Sequence, residues 1–475
     1  MRRAAEVLES LRRHRATWRL VIGSATAGLV LAAVAVALTG PWDSGRRAAE
    51  RAQAAEAGPG APDSGGVTVP GAVTVLDPLD GSAPEYAPDA VRRLLEPALS
   101  DAALGDGTTA AVVDLATGET LYADHAGTGR APASTVKIIT AVTALNALGP
   151  DHRLATTAVW DEDGERVVLV GGGDPTLSAD DLTALAERTA AALADRGADR
   201  VRVAYDTSLY PGGGERHPIG VNDNIAAITP LQVNEGRLDG STHGPAPRAD
   251  DPAADAADAF TEALAAAGVR VSGDPADRKA PDDAERLAVA RSAPLSSLVE
   301  RMLTDSDNDL AEALARHTAL ATGERADSEG LGRAMAAQLD DLGLAHDGVR
   351  VVDGSGLDRD GRLTAELLTQ ALATAADPGR PELRSALTGL PVAGFTGTLA
   401  GRYDGDGGDG GDGGSGLVRA KTGTLTGVNT LAGTAGTPDG RVLAFAFLAA
   451  DTTDADAAEE ALDRAAGALA ACGCA

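Results

Sequence analysis

The pattern that most restricts the fold lies near the end of the chain, where strands and a helix follow one another closely. Residues 416–450 read GLVRAKTGTLTGVNTLAGTAGTPDGRVLAFAFLAA, and turn sequences separate their apolar runs. This pattern predicts three antiparallel strands, with Pro-Asp-Gly at residues 438–440 turning the last pair. The amphipathic segment that follows, residues 454–470, predicts a closing helix.

The beginning of the ordered region mirrors this arrangement. Residues 87–104 have the apolar spacing of a helix, and residues 109–125 contain two alternating apolar runs around an Ala-Thr-Gly-Glu turn, which predicts a β-hairpin. A further helix is predicted over residues 130–145. We therefore expect an α+β fold in which one antiparallel sheet, flanked by helices, draws its strands from both ends of the chain.

The middle of the chain has a different sequence pattern. Short strand-like runs such as RVVLVGGG and RVRVAYD alternate there with Pro/Gly loops and an acidic, alanine-rich segment. We interpret residues 155–290 as one inserted smaller α/β domain, which divides the main domain into residues 85–154 and 291–475. The polar stretch at residues 274–286 bounds the insertion, and Lys279 within it is interpreted as a solvated linker charge.

The N-terminal region contains a membrane-type segment and a spacer. Residues 20–42, LVIGSATAGLVLAAVAVALTGPW, form an uncharged run long enough to cross a bilayer, and six arginines precede it. This asymmetry predicts a transmembrane helix or signal anchor, with residues 1–19 as a cytoplasmic basic tail and the rest of the chain outside the cytoplasm. A cleaved signal peptide, which would make the protein secreted, stays an alternative. Residues 43–84 have the composition of a flexible linker.

Composition and short motifs argue against several kinds of partner. A chain with a net charge of −29 offers no basic groove for phosphates, so nucleic acid is not an expected partner. Cys472 and Cys474 are too few and too close together for a zinc site or a disulfide framework, and we interpret them as part of a frayed tail. GGGDPTL at residues 171–177 lacks the Lys-Ser/Thr of a phosphate loop, and the Asp/Gly run at residues 404–416 lacks the glutamate of an EF-hand. We interpret these as a turn and a flexible loop, and expect no metal and no cofactor.

Lysine is rare enough in this chain to be informative. Of 41 lysine and arginine residues only three are lysines, so the lysines are expected where arginine fails. Arginine stays protonated, whereas a partly buried lysine can lose its proton and act as a base. Ser134 and Lys137 lie three residues apart at the start of a predicted helix, just after Pro132, so a hydroxyl and an amine share one face. Alone, such a pair is a common coincidence.

Two further motifs follow along the chain. Ser-Asp-Asn at residues 306–308 leads into another amphipathic helix, and by itself it is also explained as a helix N-cap. Lys-Thr-Gly at residues 421–423 lies in a predicted strand, where a glycine often marks the close approach of a ligand or of another backbone. The three motifs appear in the order Ser-x-x-Lys, Ser-x-Asn, Lys-Thr-Gly, and two of the three lysines fall within them.

This ordered trio resembles the active-site serine superfamily of penicillin-binding proteins and β-lactamases. The long gap between the first two motifs resembles the D-alanyl-D-alanine carboxypeptidase/endopeptidase family, the class C low-molecular-mass penicillin-binding proteins, in its actinobacterial form. The insertion is shorter than in members with two extra modules, so substrate contacts from the missing module are not expected here. The similarity rests on the segments PASTVKIITA, LVGGGDPTL, ITPLQVNEGR, LVERMLTDSDNDLAEALARH, VVDGSGL, LPVAGFTGTLAGR and LVRAKTGTLTGVNTLAG.

The resemblance implies a serine β-lactamase/transpeptidase-like domain and a set of site residues. The expected catalytic residues are Ser134, Lys137, Ser306, Asn308 and Lys421, and the expected substrate-binding residues are Thr422, Gly423 and Thr424. Neutral Lys137 would take the proton from Ser134, which attacks the carbonyl between the two terminal D-alanines of a peptidoglycan stem peptide. Lys421 would help to keep Lys137 deprotonated and attract the substrate carboxylate. The backbone amides of Ser134 and Thr424 would form the oxyanion hole.

We therefore expect a serine-type D-Ala-D-Ala carboxypeptidase/endopeptidase that acts through an acyl-enzyme and is acylated in the same way by β-lactam antibiotics. Trimming a terminal D-alanine and cutting a cross-link break the same type of amide, so both activities stay open. A β-lactamase, or a non-catalytic β-lactam-sensing or wall-binding protein, is the alternative. Other nucleophile schemes fit less well: the sequence has no Gly-x-Ser-x-Gly elbow, and His317 and His346 are explained by packing or solvent.

Overall fold

Two β-sheets and the helices packed on them make up the part of the chain that the computed structural model describes, residues 86–403 and 412–474. The strands are β1 (Thr109–Asp114), β2 (Thr120–Asp124), β3 (Ala155–Asp161), β4 (Arg166–Val170), β5 (Arg200–Asp206), β6 (Arg270–Val271), β7 (Ala276–Asp277), β8 (Glu285–Arg291), β9 (Val418–Leu425), β10 (Val428–Gly436) and β11 (Val442–Ala450). The helices are α1 (Pro88–Leu99), α2 (Val136–Leu148), α3 (Ala179–Arg196), α4 (Pro252–Ala266), α5 (Leu295–Thr304), α6 (Asn308–Ala321), α7 (Ser328–Asp341), α8 (Ala365–Ala376), α9 (Ser385–Thr388) and α10 (Ala455–Ala470).

The central sheet joins the two ends of the described region. Its strand order is β2-β1-β11-β10-β9, and every neighbouring pair is antiparallel. Strand β1 pairs with β11 along its whole length, from Thr109 opposite Leu448 to Asp114 opposite Leu443. The prediction of an α+β fold whose sheet draws strands from both ends of the chain is confirmed, as are the first hairpin, the three C-terminal strands and the closing helix.

Helices cover both faces of this sheet because its strands are apolar on both sides. In β11, Phe445 and Phe447 face a core shared with α1 and α10, whereas Ala444, Ala446 and Leu448 face a core shared with α2 and with α5 to α8. Successive side chains of a strand point to opposite faces, which separates the two sets. The small alanines allow α8 to pack closely over β1 and β11.

The second sheet takes all its strands from residues 155–291. Its order is β6-β5-β4-β3-β8, and β7 also pairs with β5. The pairs of β3 with β4 and β8 are antiparallel, and those of β5 with β4, β6 and β7 are parallel. Helices α3 and α4 pack on it through a separate apolar core. The described residues form one compact unit, and the division into domains at the predicted boundaries stays a prediction.

Several predicted segments lie outside the described residues. They are the basic tail at 1–19, the apolar run at 20–42, the linker at 43–84 and most of the Asp/Gly loop, residues 404–411. Within the described ranges, no helix combines the length and the apolar character needed to cross a membrane. Lys279 is exposed and pairs with Asp282 at 2.9 Å, so its interpretation as a solvated charge is confirmed.

The interpretation of the last residues as a frayed tail is wrong. Cys472 and Cys474 are bonded to each other and are both buried. The backbone N–H of Ala87 donates to the carbonyl of Cys474 at 3.4 Å, and the hydroxyl oxygen of Tyr86 lies 3.4 Å from the carbonyl oxygen of Cys472. These contacts join the end of the chain to the residues just before α1. A count of cysteines alone did not reveal this packing.

Candidate active site

Ser134 and Lys137 lie at the start of α2, as the sequence predicted, although the regular helix begins later than expected. Residues Ala133–Thr135 form a 3₁₀ turn, and α2 starts at Val136. Helix α2 is buried along its first ten residues, so Lys137 has no exposed surface. Its Nζ lies 3.0 Å from Oγ of Ser134. The predicted nucleophile and base are therefore in hydrogen-bond contact.

Two further oxygens bind the Lys137 amine. Nζ donates to Oδ1 of Asn308 at 2.8 Å and to the backbone carbonyl of Ser355 at 2.7 Å. Neither a carboxamide oxygen nor a carbonyl oxygen can donate a hydrogen in return. In a neutral amine, these two acceptors take both N–H groups, which leaves the nitrogen lone pair for the hydroxyl of Ser134.

Burial is the main influence on the charge of Lys137. It lowers the pKa of the amine to about 8, whereas carboxylates act in the opposite direction. Those carboxylates are, in order of effect, Asp353, Asp307, Glu312 and Asp309. The pKa therefore lies close enough to neutrality for the amine to exchange a proton during a reaction.

The second motif serves as a helix cap and as part of the site. Asp307 is the N-cap of α6, and its Oδ1 accepts a hydrogen bond from the N–H of Leu310 at 3.0 Å. Asn308 is the first residue of the helix; it binds Lys137 through Oδ1 and donates from Nδ2 to the carbonyl of Asn224 at 3.0 Å. Ser306 has a φ of 58°, a left-handed backbone conformation that is uncommon for a non-glycine residue. The N-cap interpretation is confirmed for Asp307.

The third motif lies on β9, at the edge of the central sheet. Lys421 is fully buried, and its Nζ donates to the carbonyl of Thr422 at 2.8 Å. Burial lowers the pKa of Lys421 well below its ordinary value, and the charges of Lys137 and Arg402 act in the same direction. An anion that reached this amine would restore its positive charge.

Gly423 allows β9 to lie against the serine turn. A Cβ at this position would lie 2.2 Å from Oγ1 of Thr430 and 3.0 Å from both the carbonyl of Pro132 and the backbone nitrogen of Ser134. The expectation that this glycine marks the close approach of another backbone is confirmed. The approach also explains how two motifs so distant in sequence come to lie side by side.

A cavity of about 320 Å³ brings the motif residues together. Residues from all three motifs line it, and the two buried lysines lie beneath this lining. The hydroxyls of Thr398 and Thr422 are hydrogen-bonded at 2.8 Å, and the hydroxyl of Thr424 donates to Glu459 at 2.8 Å. The lining motif residues are Ser134, Ser306, Asp307, Asn308, Thr422 and Thr424.

Sequence reasoning missed the carbonyl of Ser355 and the groups that hold it. Oε1 of Glu312 accepts hydrogen bonds from the N–H groups of Gly354 and Ser355, each at 3.0 Å. Oδ2 of Asp353 accepts from the hydroxyl of Ser355 at 3.1 Å and contacts the ring of His217 at the same distance. The only signal in the sequence was the Asp-Gly-Ser-Gly stretch at residues 353–356. The structure buries this stretch, so its backbone groups need polar partners.

The region of the second sheet also contributes to the cavity, which sequence reasoning did not predict. Asn224, Arg237 and Arg248 line it together with the motif residues. All three lie in the long connection between β5 and α4. The role of the insertion was left open by the sequence, and the structure places part of it at the site.

Two clusters in the described ranges bring possible metal ligands within 4.8 Å of one another. They are His217 with Glu312 and Asp353, and Glu235 with Asp307 and Asp309. In both clusters the carboxylates already accept hydrogen bonds from backbone amides or pair with arginines. The expectation that no metal takes part stays a prediction.

This geometry fits a serine acyl-transfer site of the penicillin-binding class, and comparisons with known proteins give the family. The sequence profile of the D-Ala-D-Ala carboxypeptidase 3 (S13) family matches residues 91–244 and 231–471. Carboxypeptidase DacB of Mycolicibacterium smegmatis is 36% identical over 97% of this chain and 99% of its own length. D-alanyl-D-alanine carboxypeptidase of an Actinomadura species is 32% identical over 75% of this chain and 79% of its own length. The chain belongs to the S13 family.

A solved structure supports the fold. Penicillin binding protein 4 of Haemophilus influenzae is 21% identical and has a TM-score of 0.65, over 79% of this chain and 97% of that one. The predicted family and its actinobacterial type are confirmed, as is the prediction of a serine-type D-Ala-D-Ala carboxypeptidase. The roles of the individual site residues stay predictions.

Proposed function

We propose that this protein hydrolyses peptidoglycan stem peptides ending in D-Ala-D-Ala through an acyl-enzyme on Ser134. One observation carries the proposal: the 3.0 Å contact between Oγ of Ser134 and the fully buried amine of Lys137. Because the pKa of Lys137 is about 8, roughly a tenth of the amine is neutral at pH 7. A hydroxyl in contact with such an amine has the base that it needs.

The first step moves one proton and exchanges one bond. Neutral Lys137 takes the proton of Ser134 while Oγ bonds to the carbonyl carbon between the two D-alanines. The C–N bond then breaks, and Lys137 passes the proton it took from Ser134, by way of Ser306, to the leaving D-alanine amine. Asn308 and the carbonyl of Ser355 keep the lone pair of the base directed at Ser134. Water hydrolyses the resulting ester and releases the shortened peptide.

The strand β9 binds the substrate carboxylate. Lys421 is buried and has a lowered pKa, so a carboxylate at this amine gains an ion pair and restores its charge. Cationic Lys421 in turn favours the neutral form of Lys137, because the coupling between two titrating groups is mutual. The hydroxyls of Thr422 and Thr424 donate to the same carboxylate. For this contact Thr424 turns away from Glu459, its partner in the free site.

The backbone amides and Asn308 orient the acyl part of the substrate. The N–H groups of Ser134 and Thr424 stabilise the negative oxygen of the tetrahedral intermediate. Asn308 holds the acyl-side amide of the peptide. Its Nδ2 carries two hydrogens, of which one binds the carbonyl of Asn224, so the second can serve the substrate.

β-Lactam antibiotics acylate Ser134 in the same way and leave slowly. A β-lactamase would release the same adduct quickly, and a non-catalytic β-lactam-sensing or wall-binding protein would not need the base. The contacts of Lys137 favour the enzyme over the sensor, since both the nucleophile and its base are present and touching. The reaction products distinguish the two possible activities, removal of a terminal D-alanine and cleavage of a cross-link.

We also propose that residues 20–42 anchor the protein in the cell membrane as a single span. The six arginines in residues 1–19 keep that segment in the cytoplasm and place the catalytic part outside, where peptidoglycan is built. Recovery of the intact chain in the membrane fraction supports the anchor. A shorter, secreted product that begins after residue 42 contradicts it.

The proposed reaction is tested with purified muropeptides. Monomeric and cross-linked muropeptides are incubated with the protein and weighed by mass spectrometry, with Ser134→Ala as the matched control. We expect loss of one D-alanine from pentapeptides, or separation of cross-linked dimers, and covalent labelling by a fluorescent penicillin in the wild type alone. Labelling or product formation that persists in Ser134→Ala contradicts the assignment of the nucleophile.

A further inference from the structure

The carboxylate of Glu235 is buried beside the Ser-Asp-Asn motif and has no part in the mechanism above. It belongs to the segment NEGR, residues 234–237, in the connection between β5 and α4. Asn234 and Glu235 have φ values of 47° and 56°, which are left-handed although neither residue is glycine. Such conformations persist where the surrounding structure imposes them, and they concentrate at functional sites.

The GGGDPTL segment holds the backbone of this turn. The N–H of Asn234 donates to the carbonyl of Leu177 at 2.8 Å, and the N–H of Glu235 donates to that of Pro175 at 2.9 Å. This segment, interpreted from the sequence as a turn, thus has a structural role. It fixes the backbone from which the side chain of Glu235 enters the protein.

Three arginines surround the carboxylate, whose side chain has no exposed surface. Nε of Arg237 donates to Oε2 of Glu235 at 2.7 Å, and Arg301 binds Oε1. Nη1 of Arg248 donates to the backbone carbonyl of Glu235 at 2.7 Å and lies 3.9 Å from Oε2. A buried carboxylate with this many donors is tightly fixed in position.

Two of the arginines continue to the acids on either side of Asn308. Nη2 of Arg301 lies 3.2 Å from Oδ2 of Asp307, and Nη1 of Arg248 donates to Oδ2 of Asp309 at 2.9 Å. Asn308 lies between these two acids in the sequence, and its Oδ1 binds Nζ of Lys137 at 2.8 Å. The contacts therefore run without interruption from Glu235 to the amine beside Ser134.

We propose that Glu235 is a positioning residue for the acylation step: through its arginines it fixes the loop that aims Asn308 at Lys137. This inference rests on the proposed function. Glu235 touches neither the nucleophile nor the strand that binds the substrate carboxylate. Its loss therefore slows the formation of the acyl-enzyme by a larger factor than it weakens ligand binding, to which Asn308 contributes through the acyl-side amide.

The choice of variants follows from the chemistry of the group. Burial raises the pKa of Glu235; Asp307 and Asp309 add to this effect, and Arg301 opposes it. Glu235→Gln removes the negative charge and keeps one acceptor oxygen. Glu235→Leu has a similar volume and removes both oxygens.

The test measures acylation of the full chain by a chromogenic cephalosporin in stopped flow, at concentrations that separate the rate constant from the dissociation constant. For Glu235→Leu we expect the saturating acylation rate to fall ~10- to 100-fold and the dissociation constant to change less than ~3-fold, because small misplacements of catalytic groups act on the reaction step. Glu235→Gln recovers part of the loss. Arg301→Gln, at a partly exposed position, slows acylation in the same way and tests the path even if Glu235→Leu does not fold.

A matched control separates positioning from general stability. Asp114 is a buried carboxylate that is paired with Arg441 and is the last residue of β1. We expect Asp114→Leu to lower the melting temperature without slowing acylation. Unchanged acylation in Glu235→Leu, an equal loss in the control, or a loss confined to the dissociation constant overturns the inference. Absence of acylation in the wild type would instead refute the proposed function.

Discussion

Lys137 and Lys421 are both fully buried at one cavity, yet their surroundings differ in kind. Lys137 lies on a wall built from helices and a loop, where three oxygens bind its amine and four carboxylates raise its pKa against the effect of burial. Lys421 lies on the strand β9, where burial and two cations lower its pKa together. These surroundings fit the two tasks proposed for the same side chain, a base on the helical wall and an anion binder on the strand wall.

The two walls also differ in how they are assembled. The helical wall needs α2, α6, the loop around Ser355 and the turn around Glu235, which are far apart in the sequence. The strand wall is one continuous segment, and the absence of a side chain at Gly423 allows it to lie against the serine turn. Variants at each wall should therefore fail in different ways, and the following predictions test that difference.

The largest effect is expected from Lys137→Arg. Arginine stays protonated at any accessible pH, so the base is lost although the positive charge and much of the volume remain. We expect acylation by a fluorescent penicillin to slow by ~10²- to 10⁴-fold, the usual contribution of a general base. Near-normal acylation would show that the helical wall does not supply the base.

A smaller and more selective effect is expected from Lys421→Met. Loss of the ammonium removes a charge-assisted contact, so kcat/KM for a peptide ending in D-Ala-D-Ala should fall ~10- to 100-fold. The matched substrate is the same peptide with its terminal carboxylate converted to an amide, for which the loss should be only a few-fold. Equal losses on both substrates would contradict the role of the strand wall in anion binding.

The smallest effect is expected from Thr398→Val. The hydroxyl of Thr398 is hydrogen-bonded to that of Thr422 at 2.8 Å, and a neutral hydrogen bond of this kind contributes about 1 kcal/mol. We expect KM for the carboxylate substrate to rise ~5-fold, with kcat nearly unchanged. A fall in kcat would place Thr398 in the reaction itself rather than behind the carboxylate site.

The sequence was sufficient to predict the elements and motifs that lie in short segments. The central sheet, helix α2 and the three motifs could be predicted because periodicity and spacing record them directly. The carbonyls of Ser355 and Asn224 could not be predicted, since a backbone acceptor leaves no mark on residue identity. Their places at the site depend on tertiary contacts between distant segments.

The burial of charged side chains also could not be predicted from the local sequence pattern. Glu312 and Asp309 look like polar positions on an amphipathic helix, but both are buried and paired with arginines. The cysteines near the end of the chain show the same limit, because their packing against the residues before α1 depends on the closing helix. In each case the burial and the partner of the residue depend on a segment that is distant in the sequence.

The measurement that tests the central claim most directly is the pH dependence of Ser134 acylation with a substrate that lacks the terminal carboxylate, so that Lys421 is not engaged. The neutral form of Lys137 is the reactive one, and its fraction rises with pH through a pKa of about 8. The account predicts a rate that increases about tenfold per pH unit below this value and levels off above it. A rate that is independent of pH from 6 to 10, or that falls as pH rises, would contradict a neutral Lys137 as the base.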